Sequence, residues 1–127
     1  FGDTQFQRLL GHNVEAMQGW SHLGDILEKD GKLSSELKEQ VRRTLAQNNG
    51  CEYCKAKGKP EPEKDNEKMA IAVGFAEVFL RQKGQKLTSA IEILKQYFSE
   101  DEISELCAFI AYTTASQYLG AMLGLEA

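Results

Sequence analysis

Two thiols three positions apart, in Cys51-Glu52-Tyr53-Cys54, are the residues of this chain best suited by type and spacing to do chemistry. On one helical turn, side chains at i and i+3 lie on the same side, so the sulfurs are near enough to close a disulfide. A cysteine at a helix N-terminus faces unpaired backbone N–H groups and the positive end of the dipole, and both favour the thiolate. Lys55, Lys57 and Lys59 add positive charge within a few residues. Such surroundings bring a thiol pKa from about 8.5 into the range of roughly 3.5–7.5 found at activated cysteines. A thiolate beside a second thiol can reduce a peroxide or a disulfide. The first sulfur is oxidised, the second resolves it as a bridge, and an external dithiol resets the pair. Helix-end reasoning favours Cys51 as the more acidic thiol.

Zinc is the main rival for a CxxC pair, but a closed structural site needs four ligands. The remaining ligands of the usual type are Cys107, His12 and His22, each isolated and distant in sequence. No metal or other cofactor is therefore expected. Three cysteines cannot all pair within one chain. No secretory leader is visible in the sequence as given, so a reducing cytoplasm is the expected compartment, where CxxC reads as redox-active or metal-binding.

The elements that must position these thiols read as helices. Residues 4–10 form a short first helix, and Asn13 caps a second over 14–29 with Ala16, Trp20, Leu23 and Leu27 as its stripe. Ser34 caps a third, in which Leu33, Leu37, Val41 and Leu45 share a face and Asn49-Gly50 is the stop. The cysteines begin a new short helix that Gly58-Lys59-Pro60 ends, and residues 60–66 are a loop. The segment 67–83 is apolar nearly all round; a shorter helix spans about 89–98. Ser99-Glu100-Asp101-Glu102 is a capping box opening the last and longest helix, about 100–123. No period-2 pattern, repeat or low-complexity tract is visible. The expected fold is all-α, one domain over residues 1–127.

The 127 residues suffice for a hydrophobic core without disulfide staples, and 42% hydrophobic with 27% charged residues is ordinary for a soluble globular protein. A net charge of −4 without a basic run argues against a nucleic-acid partner. No apolar run approaches the ~20 residues that span a bilayer, so no membrane partner is expected. Helices apolar on every side must be buried, in a core or against another subunit. A homo-oligomer is therefore expected, with the 67–83 and 100–123 helices as its contacts; the alternative is a compact monomeric bundle with both at its centre.

Glu39 lies twelve residues before Cys51. Glu39, eleven intervening residues, and Cys51-Glu52-Tyr53-Cys54 resemble the E-x11-C-x2-C signature of the AhpD-like branch of the carboxymuconolactone decarboxylase superfamily. The Leu33-Ser34 helix start, the Asn49-Gly50 stop, the later apolar helix and the Thr113-Thr114-Ala115-Ser116 run match as well, so the resemblance covers about 9 to 125. It implies an AhpD-like helical bundle assembling into a ring-like trimer or hexamer. The implied activity is alkylhydroperoxidase-type peroxide reduction, with a thioredoxin-like or dithiol electron donor. It further implies Cys54 as the peroxide-attacking thiol, Cys51 as the more exposed resolving partner, and Glu39 as base or water-orienter. The family motif continues with a histidine that completes a proton relay with the glutamate and a water; Gly58 stands at that position here. The segment also resembles a subgroup lacking that histidine. A lysine of the 55–59 cluster, Lys57 above all, is the expected substitute in stabilising the thiolate.

Two other functions remain open at this stage. A lactone-decarboxylase-like enzyme of the same superfamily would not need its cysteines, and a redox-sensing interaction module would form the bridge without turnover. Glu39 also has an ordinary reading as an ion pair with Arg43, four residues on. Tyr53 is expected to pack over the thiols or donate a hydrogen bond. His22 is a candidate substitute base but reads more simply as an interfacial histidine. His12 reads as local structure, Cys107 as a small buried hydrophobe, Trp20 and the Phe75/Phe79 pair as core, and Glu77 as a solvated carboxylate.

Overall fold

The computed structural model describes residues 12–61, 63, 65–83 and 85–124, with only the backbone of Tyr53. The expected helix over 4–10 lies outside the described residues. Among those described there are six helices and no strand: α1 (Val14–Glu28), α2 (Ser35–Ala46), α3 (Glu52–Lys55), α4 (Glu67–Gln82), α5 (Thr88–Leu94) and α6 (Glu100–Met122).

Local hydrogen bonds start these helices where side-chain oxygens meet otherwise unpaired N–H groups. Asn13 Oδ1 accepts from Ala16 N at 3.1 Å, Ser34 Oγ from Leu37 N at 3.1 Å, and Asn66 Oδ1 from Met69 N at 2.9 Å. The expected capping box is present. Ser99 Oγ accepts from Glu102 N at 3.2 Å, and Glu102 Oε1 accepts from Ser99 N at 2.9 Å. α2 ends at Ala46 with Gln47 as its C-cap, earlier than the expected Asn49-Gly50 stop; beyond the turn that follows, Gly50 has a φ of 77°, the left-handed conformation that glycine takes without steric cost. The expected 89–98 helix is shorter; after Leu94 the chain continues in turns, with Phe98 N bonded to Leu94 O at 2.8 Å.

α2 is the central helix, packed against α4 on one side and α6 on another. Its face of Leu37, Val41 and Leu45 is buried as the heptad-like spacing requires, with Leu33 just ahead of it. Burying Val41 or Leu45 contributes roughly 1.5–3 kcal/mol each. They meet Met69, Ala72, Phe75 and Ala76 of α4 and Leu106, Phe109 and Ile110 of α6 in one cluster. Much of the apolar surface of α4 and α6 is thus covered within the chain.

α1 departs from its expected stripe. Leu23 is 46% exposed, and the buried positions are Gly24 and Leu27. The reason is a close crossing with α6: a Cβ on Gly24 would come within 2.5 Å of Tyr112 Oη. That hydroxyl donates to Trp20 O at 3.1 Å, and the two rings stand 5.6 Å apart.

A buried charge fixes the α1–α2 connection. Lys38, 1% exposed, donates from Nζ to Lys29 O at 2.8 Å and pairs with Glu105 at 3.2 Å. Glu105 also accepts from Lys32 N and Leu33 N. The carboxylate on α6 therefore satisfies loop donors that no helix supplies. With the end of α1 held against α6, its last residue, Glu28, is set beside the turn that follows α2.

Candidate functional site

The two sulfurs stand where the sequence places them, on one turn. Cys51 is the N-cap of α3, Cys54 lies within it, and their sulfurs are within bonding distance with Cα atoms 5.2 Å apart. Cys54 N also donates to Cys51 Sγ at 3.2 Å. A four-residue helix aligns too few peptide units for a full macrodipole. This single N–H accounts for the direct backbone influence on Cys51 that the structure provides.

Burial reverses the expected exposure of the pair. Cys51 is 1% exposed, whereas Cys54 is partly open. The preceding residues explain this. Asn49, also buried, donates from Nδ2 to Gln117 Oε1 at 2.8 Å, and Gln117 Nε2 donates to Arg42 O at 3.2 Å. Gln117 therefore ties the segment before Cys51 to both α6 and α2, which draws the first cysteine inward.

Both cysteines line a pocket of about 150 Å³. At ~30 Å³ per water that is room for a handful of heavy atoms. α6 forms one wall with Tyr112, Thr113, Ser116 and Gln117; α1 contributes Trp20 and Glu28, α2 Arg42, and the segment after α3 Lys57. Trp20 is thus a half-buried wall residue and not plain core, and its Nε1 donates to Ser116 Oγ at 3.1 Å. A wider groove of about 700 Å³, lined by Gln47, Glu77, Arg81 and Tyr118 among others, contains neither cysteine. Both cysteines of the pair line the smaller pocket, which makes it the candidate site.

Glu39 reaches the turn indirectly. Its carboxylate accepts from Arg42 Nε at 2.7 Å and Nη2 at 3.0 Å, and from Arg43 Nε at 2.9 Å. The ion pair with Arg43 is the one its spacing allows, and Arg42 adds a second. The Arg42 hydrogen bond foremost, with help from Arg43, lowers the Glu39 pKa from 4.5 to about 2. Glu39 lines an acidic groove with Glu36, Glu61 and Glu63, not the sulfur pocket. Arg42 links the two, since its Nη1 donates to Cys54 O at 3.0 Å.

Of the lysine cluster, Lys57 alone lines the pocket; Lys55 and Lys59 are exposed away from it. The Tyr53 side chain lies outside the described residues. Gly58, where the resemblance would place a histidine, has φ +111°, a conformation that a residue with a Cβ rarely adopts. His12 and His22 are exposed on or beside α1, and neither lines the pocket. Cys107 is half-buried against the core, and burial raises its thiol pKa. Glu77 is exposed as expected.

Sequence reasoning missed Glu28. Loss of hydration, foremost, raises its pKa above the ordinary carboxylate value, with Asp25 and Glu39 adding to the rise and Lys57 and Arg42 opposing it. No spacing relates Glu28 to the cysteines, so the chain alone carries no signal for it. Arg42, three residues after Glu39, was legible as a helical neighbour but not as the link to Cys54.

Among the described residues, no group of three or more histidine, cysteine or acidic side chains is placed to hold a metal ion, and no helix is long and apolar enough to cross a membrane. Compared with known proteins, the chain matches no family model and no curated protein.

Proposed function

We propose that the protein is a thiol-dependent oxidoreductase that reduces a small peroxide or disulfide with the Cys51–Cys54 dithiol. The observation that carries this reading is the pair of sulfurs within bonding distance in two cysteines that line a small pocket, Cys54 partly exposed and Cys51 buried. Cys54, the accessible sulfur, attacks; Cys51 resolves. With a hydroperoxide ROOH, the Cys54 thiolate bonds to the terminal oxygen as the O–O bond breaks. The products are Cys54 sulfenic acid and an alkoxide that takes up a proton. The Cys51 thiol then attacks the Cys54 sulfur, forms the disulfide and releases water. An external dithiol or thioredoxin-like donor returns two electrons and two protons.

Glu39 acts in this scheme through Arg42, as a positioning residue for the Cys54 turn. The AhpD-like bundle and the ring-like homo-oligomer of three or six subunits belong to the same reading and rest on the resemblance of the Glu39–Cys54 segment; a cytoplasmic setting, where a CxxC pair stays reducible, belongs to it as well. Tyr118, Met122 and Leu123, exposed toward the end of α6, are the apolar groups available to such an assembly.

Mass spectrometry of the reduced protein after one equivalent of hydroperoxide tests the proposal. The expected result is rapid loss of two thiols as one Cys51–Cys54 bridge, and a sulfenic acid on Cys54 in Cys51→Ser. A bridge that forms only slowly, changes the assembly state and never turns over with a reductant favours a redox sensor instead. Gly58 and the ionised, doubly paired Glu39 are the observations on that side, because neither can serve as a readily protonated relay.

A further inference from the structure

A peroxide leaves behind an alkoxide, a far stronger base than water can quickly satisfy inside a small pocket, so a proton must be delivered as the O–O bond breaks. Neither residue that the family pattern assigns to that task can perform it here. Glu39 is a fixed carboxylate held by two guanidinium groups, and position 58 is glycine.

We propose that Glu28, on the α1 wall of the sulfur pocket, is the proton-transfer residue of the dithiol site: it takes the Cys54 thiol proton and returns it to the leaving alkoxide. The inference rests on the dithiol reading. Glu28, Cys51 and Cys54 line one pocket of about 150 Å³, so a small molecule filling that pocket meets the Cys54 turn and the Glu28 side chain together. Among the described residues no histidine lines the pocket, and the Tyr112 hydroxyl on its wall has its pKa raised by burial and already donates to Trp20 O; Lys57 and Arg42 are cations there, and Glu28 is its one carboxyl.

The charges facing Glu28 suit a group that must cycle between two protonation states. Lys57, from the segment after α3, and Arg42, from α2, favour the carboxylate. Asp25 on α1 and Glu39 on α2 favour the acid, and Glu36, Glu61 and Glu63 line the groove on its other side. Partial loss of hydration tips the balance upward, closer to the working pH than an ordinary carboxyl. Atoms balance over the step. Cys54–SH and Glu28–COO⁻ give thiolate and Glu28–COOH. The thiolate takes OH from ROOH, and Glu28–COOH gives its proton to RO⁻, regenerating the carboxylate and releasing ROH.

The test exploits two electrophiles with different needs. Iodoacetamide alkylation of reduced Cys54 needs only the thiolate, whereas reduction of a small alkyl hydroperoxide also needs the proton. Glu28 is exposed at a helix end, so Glu28→Gln keeps the fold. That variant should be alkylated roughly threefold faster at pH 7, because a negative charge has left the thiol's surroundings. It should react with hydroperoxide about 10²-fold more slowly and lose the corresponding limb of the pH–rate profile. Glu28→Asp should recover part of the hydroperoxide rate. Rates that move together, or a Glu28→Gln variant as fast as wild type with hydroperoxide, overturn the role of Glu28 and leave the dithiol reading standing. Wild type that is alkylated normally but inert to hydroperoxide overturns both.

Discussion

Arg42 donates Nη1 to the carbonyl oxygen of Cys54 at 3.0 Å while the rest of its guanidinium holds Glu39. A single planar fork thus joins a carboxylate on α2 to the turn that carries the open sulfur. A lysine could keep the charge but not the two-sided geometry. The Cys54 turn is held by this link from one side and by the Asn49–Gln117 pair from the other.

Two carboxyls near the site should respond to pH in opposite senses. Glu39 has a folded pKa of about 2 against an ordinary 4.5, so its stabilisation is present above pH 4.5 and lost as pH falls through 2. Because the pair is partly exposed, solvent screening leaves it on the order of 1 kcal/mol. Urea unfolding of wild type and Glu39→Gln should differ at pH 7 and converge near pH 2. Glu28, whose pKa is raised, disfavours the folded state once ionised. Glu28→Gln should therefore match wild type at low pH and be the more stable of the two at pH 7.

Alkylation should separate the thiols. With Cys51 1% exposed and Cys54 partly open, brief iodoacetamide treatment of the reduced protein should label Cys54 at least about tenfold faster than Cys51. Equal labelling, read by peptide mass spectrometry, would mean that the covered position of Cys51 is not kept after reduction.

The lysines should not be equivalent. Lys57→Ala should raise the pH midpoint of Cys54 alkylation, since that ammonium lines the pocket, while Lys55→Ala should leave it unchanged. An identical shift from both would point to general charge rather than to a local effect.

Gln117→Leu should lower the melting temperature. It orphans the buried Asn49 amide and removes a second donor from the Arg42 carbonyl, at about 1–3 kcal/mol, which for a chain of this size is several degrees. The same variant should expose Cys51 to alkylation, because Gln117 is what draws residue 49 inward.

A histidine placed at position 58, as in the motif the segment resembles, should not supply a relay. Gly58 sits at φ +111°, so Gly58→His forces strain of about 1–3 kcal/mol or moves the backbone. Hydroperoxide rates no faster than wild type, with a lower melting temperature, are the expected readings.

The sequence by itself determined what depends on neighbours a few residues apart. The caps at Asn13, Ser34 and Ser99, the buried face of α2, the Glu39–Arg43 pair and the shared turn of Cys51 and Cys54 are all set by i+3 and i+4 geometry. Only the tertiary structure decided which cysteine is the less buried, that Arg42 and not Glu39 touches the Cys54 turn, and that Glu28 shares a pocket with both cysteines. Each of those depends on how α1 and α6 cross and how α2 and α6 meet the Cys51–Cys54 turn. Both are set by the close approach of Gly24 to Tyr112 and by the Asn49–Gln117 bond, contacts between residues far apart in the chain, for which helical periodicity carries no information.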